Sequence, residues 1–170
     1  NGDNRRALET AELAVNSARE AGDSVESMKC LTYALFRHGR ALCAFGKFDD
    51  AIKLAEEALQ ISAEAGDAAL EERGFCFHLL GVGNLALSRF AKARLFFNED
   101  LKLNQKLDRR SQIGNALNSL GESFRKQGYG REAVDCFQKA LAFAAVAGNR
   151  SGELMILSNL AGAKTQIGDH

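Results

Sequence analysis

The sequence predicts an all-α chain, an α-solenoid of stacked antiparallel helix hairpins with about eight helices. Three observations carry this prediction. The first is composition: the 170 residues include no proline, β-branched residues are sparse, and Ala, Leu, Glu, Lys and Arg dominate, which are strong helix formers. The second is a recurring stop. "SAREAGD" (17–23), "SAEAGD" (62–67) and "AAVAGN" (144–149) end three helical runs in nearly the same way. The third is a set of small residues that recur in phase with those stops.

The stops fix the frame. Gly22 and Gly66 lie 44 residues apart, Asp108 follows after 42 more, and Gly148 after a further 40. A residue just past the last helical turn takes a left-handed backbone, where glycine has no Cβ penalty. The Asp or Asn that follows is then placed to cap the next helix. A tight turn recurs between the stops at Gly2, Gly46, Ser88, Gly128 and Gly168, and five residues after the first four of these come Ala7, Ala51, Ala93 and Ala133. Seven residues before a turn stand Gly39, Gly81, Gly121 and Ala161, each in the middle of a helix. Glycine there costs roughly 1 kcal/mol of helix propensity relative to alanine, and close approach of a partner helix is the expected compensation.

Each element follows in order. A helix near 4–20 runs to the first stop. One near 26–45 carries Gly39 between Leu35 and Leu42, and one near 49–65 begins after the Gly46 turn. A helix near 68–87 carries Leu79, Leu80 and Gly81, and one near 91–107 follows Ser88. The next, near 110–127, carries Leu117 and Leu120 beside Gly121. The last two fall near 131–147 and near 151–167, the latter with Leu157 and Leu160 before Ala161. Leucine spacings of three, four and seven make the apolar stripe of a helix. The unit is thus helix A, tight turn, helix B, stop. The chain divides into a half repeat at 1–23, full repeats at 24–67, 68–108 and 109–149, and a half repeat at 150–170. Ends that cut through a repeat, and a first residue Asn1 rather than Met, are those expected of a piece of a longer array.

Charge and cysteine content narrow the function classes. Lys plus Arg and Asp plus Glu both number 22, so no basic excess points to nucleic acid or an anionic membrane. The apolar runs are too short to span a bilayer, and no stretch reads as a signal peptide. Cys30, Cys43, Cys76 and Cys136 form no C-x-x-C pair and read as small core residues in a reducing compartment, which places the chain in the cytoplasm. His38, His78 and His170 have no metal-ligand spacing, so no metal and no other cofactor is expected. Catalytic motifs are missing as well. "GVGN" at 81–84 lies within a helix and follows no strand, no G-x-S-x-G occurs, and the Glu56–Glu57 and Glu71–Glu72 pairs read as solvated helix surface. The reading is a non-enzyme.

The repeat resembles the tetratricopeptide repeat. "NALNSLGESFRKQGYGREAVDCFQKAL" at 115–141 carries the features of that family: Leu120-Gly121, Phe124, Gly128, Ala133, Phe137 and Ala140-Leu141. The stretch 35–59 carries Gly39, Gly46, Phe48, Ala51 and Ala58-Leu59. The stretch 78–101 is more degenerate, with Asn84 in place of the helix-A aromatic and Asp100 in place of the second Ala. The period is 40–44 rather than 34, and the stop is Gly-Asp or Gly-Asn rather than Pro. Such long repeats look like those of kinesin light chain, the Pins/LGN adaptors and bacterial signalling regulators.

The resemblance implies a right-handed superhelix whose A helices line a concave face that binds a protein or peptide partner. Counted from the small mid-helix residue, that face holds Tyr33, Phe36, Arg40 and Cys43, then Phe75, His78, Val82 and Leu85. It continues with Asn115, Asn118, Glu122 and Arg125, then Met155, Ser158, Gly162 and Thr165. One stretch is aromatic and the adjoining one polar. Aromatics make anchor pockets, Asn amides grip a peptide backbone, and Arg125 is suited to a carboxylate. A plainer reading stands beside each of these: Tyr33, Phe36 and Phe75 fill the space between repeats, Asn115 and Asn118 are merely solvated, His78 is an ordinary surface residue, and Glu122 and Arg125 pair with each other. The full carboxylate-clamp set of chaperone-binding relatives is missing. Two functions from different classes therefore remain: a peptide-binding scaffold, and a structural or regulatory arm that self-associates through exposed repeat ends or packs on another domain of its own chain.

Overall fold

A computed structural model describes residues 2–168, with side chains from residue 5 onward; Asn1, Asp169 and His170 lie outside the described residues. Among them the chain forms eight α-helices and no strand. These are α1 (Gly2–Arg19), α2 (Val25–Ala44), α3 (Phe48–Glu64), α4 (Leu70–Ala86), α5 (Phe90–Lys106), α6 (Arg110–Lys126), α7 (Gly130–Val146) and α8 (Arg150–Ile167). The fold class is the expected all-α array of helix hairpins. Even-numbered helices are the A helices and odd-numbered ones the B helices.

The stops and turns share one backbone device. Gly22, Gly46, Gly66, Gly128, Gly148 and Gly168 all have positive φ, and Ser88 (57°) and Asp108 (48°) take the same left-handed conformation without being glycine. Behind several of them the helix closes with a hydrogen bond from the third residue past its end: Lys47 N to Leu42 O, Arg109 N to Asn104 O, Tyr129 N to Phe124 O and Asn149 N to Ala144 O, at 2.9–3.1 Å. Within each unit the backbone reverses over three to five residues, so consecutive helices there pack antiparallel. Gly2 is the exception, because it opens α1 rather than forming a turn.

Two local expectations change. Capping by the residue after the stop glycine holds at Asn149, whose Oδ1 accepts from Gly152 N at 3.0 Å. At the first stop the cap is Ser24, one residue beyond Asp23, and its Oγ accepts from Ser27 N. The helix expected near 68–87 begins at Leu70, after a 3₁₀ turn at Gly66–Ala69. The reason lies in Arg73, whose guanidinium donates to Ser62 O (2.7 Å) and Gly66 O (3.2 Å). It satisfies carbonyls that the end of α3 leaves without helical partners and holds the linker in that single turn.

The helices gather into two compact units, Asn1–Ser88 and Arg89–His170. In the first, α2 packs on α1, α3 and α4, and α3 packs on α4. Its core joins Val15, Ala34, Leu35, Ala58 and Cys76. In the second, α6 packs on α5, α7 and α8, and α7 on α8, around Ile113, Leu117, Phe137, Ala140 and Ile156. Within each unit the A helices touch, α2 with α4 and α6 with α8. Two of the mid-helix glycines, Gly39 and Gly121, are pressed by residues of neighbouring helices. A Cβ on Gly39 would lie 2.5 Å from Leu79 Cδ2 and 3.4 Å from Ala51 O, and one on Gly121 would lie 2.6 Å from the Phe137 ring. The propensity lost at these glycines is returned as close packing.

Candidate functional site

In the first unit, α2 and α4 bring Tyr33, Phe36 and Phe75 together. The rings of Phe36 and Phe75 stack at 5.1 Å, and Tyr33 lies 5.9 and 6.0 Å from them. Phe36 is buried, so it serves the packing between repeats, whereas Tyr33 remains 43% exposed on top of the stack. Two guanidiniums cover the outer side, Arg37 at 5.9 Å from the Tyr33 ring and Arg40 at 5.7 Å from that of Phe36. Arg37 also lies 3.4 Å from the Tyr33 hydroxyl. Phe75, His78 and Val82 are half-buried on α4, and Arg40 is exposed. The result is a rim of tyrosine and arginine around an aromatic floor.

In the second unit, α6 presents the polar set. Asn115 is exposed. Asn118 is buried and accepts a hydrogen bond from Asn159 of α8 at 3.0 Å, which ties the two A helices together. Glu122 and Arg125 pair with each other through two bonds of 2.8 Å, from Nε to Oε2 and from Nη2 to Oε1. That hydrogen bond raises the Arg125 pKa above its ordinary value, with burial opposing. Gln166 donates to the Arg125 carbonyl at 3.3 Å. Met155, Ser158, Gly162 and Thr165 are exposed along α8.

Arg37 and Asn159 escape the count of four positions per A helix. Both stand two residues before the small mid-helix residue (Gly39 and Ala161), so adding that position to the frame would have found them. Arg94 escapes too, since its partners, the Phe124 ring at 5.0 Å and the Gln127 amide, lie about thirty residues on.

The cysteines are not uniformly core. Cys76 is buried, and burial, with the Glu72 carboxylate reinforcing and Arg73 opposing, pushes its thiol up to about 12. Cys43 and Cys136 are half-buried and raised by burial, whereas Cys30 is exposed on the side of α2 that faces α1. No cluster of three or more His, Cys, Asp or Glu that could hold a metal occurs among the described residues. No described helix is long and apolar enough to cross a membrane.

No curated protein matches the sequence. Solved structures do match in fold. Kinesin light chain-type TPR-like repeats from Podosopora anserina superpose with a TM-score of 0.74 at 20% identity, over 100% of this chain and 82% of that one. BtubC (BKLC) from P. vanneervenii gives 0.69 at 20% identity, over 98% and 85%. The apo form of RapI gives 0.79 at 13% identity, over 99% of this chain but 45% of its own. Models described as tetratricopeptide repeat match residues 30–106 and again 116–145, which together make up well over half of the sequence. With the hairpin fold and the in-phase glycines, these matches establish that the chain belongs to the tetratricopeptide repeat family.

Proposed function

We propose that this protein is a non-catalytic interaction scaffold that binds a peptide segment of a partner along the face of its A helices. The observation that carries this reading is the Tyr33 ring, left nearly half exposed on a Phe36–Phe75 stack and flanked by Arg37 and Arg40. Among the described residues neither arginine is paired with a carboxylate. Exposed aromatic and arginine side chains over a packed floor are the composition of binding hot spots. A peptide with an apolar anchor and a nearby carboxylate suits them. The proposed contacts in the first unit are Tyr33, Phe36, Arg40, Phe75, His78 and Val82. In the second they are Asn115, Asn118, Glu122 and Arg125, where Asn115 is the exposed amide and Glu122–Arg125 would have to exchange its internal pairing for the ligand.

The test is selection from a displayed random-peptide library, with the affinity of the selected peptide then measured by titration calorimetry. Tyr33→Ala and Arg40→Ala should each weaken it at least tenfold, while Lys53→Ala on α3 leaves it unchanged. Equal affinity of all three variants would overturn the reading.

A further inference from the structure

One position breaks the pattern of the repeat. The residue after the small residue of a B helix is Leu8 in α1, Ile52 in α3 and Val134 in α7, but Arg94 in α5. Ile52 is buried against α4, where a Cβ on Gly83 would lie 2.7 Å from it, and Val134 packs on the core of the second unit. Arg94 is half-buried at the same level of the hairpin. A guanidinium drawn out of water there is costly unless it is paired, and among the described residues no carboxylate pairs with it. Its head lies 5.0 Å from the Phe124 ring and donates to the Gln127 amide oxygen. Ser123 of α6 holds the place of Gly83, is fully buried, and its Oγ has no hydrogen-bond partner. The α5–α6 contact is thus polar at this level without being satisfied from within.

The surroundings of this guanidinium suit a ligand of opposite charge. Tyr129, in the turn before α7, is 49% exposed and meets the Phe124 ring edge-on at 6.4 Å. Arginine, phenylalanine and tyrosine therefore adjoin, the composition of a binding hot spot. Charge adds a direction. Residues 89–170 carry 13 Lys and Arg against 8 Asp and Glu, whereas residues 1–88 carry 9 against 14, so a neutral chain contains a second unit of net charge +5. Such a unit attracts acidic partners and repels basic ones. The site belongs to α5, α6 and the turn into α7, with helices before and after it in the chain, and it shares no residue with the Tyr33 site.

We propose that an acidic segment of a partner protein docks at this turn of the second unit, with a carboxylate on Arg94 and an apolar side chain against Tyr129. It is independent of peptide binding along the A helices. Nuclear magnetic resonance tests it, by titrating the nitrogen-15-labelled chain with the blocked peptide EELEE and, at equal ionic strength, with KKLKK. The Arg94 Nε–H, the Gln127 side-chain amide and the Tyr129 backbone amide should shift saturably with EELEE and stay still with KKLKK. Arg94→Leu restores the residue type that the repeat has at this position in α1, so it should fold with unchanged helical circular dichroism and weaken EELEE at least tenfold. Tyr129→Ala, at an exposed position, should weaken it at least threefold. Lys139→Gln removes the same charge from α7, and Arg40→Ala alters the Tyr33 site; both should leave the affinity unchanged. Shifts that miss Arg94, or that spread over the cations of both units without saturating, would overturn the proposal. So would equal weakening by Arg94→Leu and Lys139→Gln.

Discussion

Gly121 and Gly162 are both helical glycines, yet opposite effects of the same substitution are expected. A methyl at Gly121 would fall 2.6 Å from the buried Phe137 ring, which has no free space to move into, so Gly121→Ala should cost about 1–3 kcal/mol through overpacking. Gly162 has nothing within 4 Å of its Cβ position, so Gly162→Ala should gain up to about 1 kcal/mol of helix propensity. Urea unfolding of the two variants checks the contrast. A second residue-scale prediction concerns Cys76. Its folded pKa, about 12, lies above the ordinary value of 9.0, so the thiol contributes stability that is complete below pH 9 and is lost as pH rises from 9 toward 12. Cys76→Ala should be less stable than the parent at pH 8, and the difference should shrink above pH 9 in thermal melts. At pH 8 a thiol reagent should modify exposed Cys30 well before Cys76.

Helices and their ends were the most legible level. The stops, the A and B helices and the positions of reversal follow from residues a few places apart, because left-handed backbone, capping and 3.6-residue periodicity are local properties. Even Ser88 and Asp108, which are not glycines, fell into place through the period alone. The start of α4 did not, since it depends on Arg73 reaching back eleven residues to the end of α3. Arg73→Met keeps the length of the side chain and removes its donors. It should cost roughly 1.5–3 kcal/mol, the range for hydrogen bonds to a charged group. Hydrogen exchange should quicken around residues 62–70, and exchange unchanged there would show that the 3₁₀ turn stands without the arginine.

For the molecule as a whole, packing between near neighbours sets the expected energetics. Gly39 is pressed by Leu79 and Ala51, Gly121 by Phe137, and the two sets share no residue. Substitutions in elements that share no partner are additive within about 0.3–0.5 kcal/mol, and repeat arrays behave as sums over neighbouring interfaces. The unfolding cost of the Gly39→Ala/Gly121→Ala double variant should therefore equal the sum of the single costs, as measured by equilibrium denaturation. A large coupling would mean that the two positions interact energetically despite sharing no packing partner.

The sequence by itself determined the helix order, the reversals and the small residues at close contacts, because each depends on backbone conformation or on spacing along one helix. It also narrowed the candidate face to a few positions per A helix. Only the tertiary structure decided what those side chains do. Phe36 sinks into the stack and leaves Tyr33 exposed, Asn118 turns to Asn159 forty-one residues away, and Glu122 takes up the donors of Arg125. Partners a full repeat apart are chosen by the shape and polarity of the surfaces that meet, and no local pattern in the chain encodes that choice.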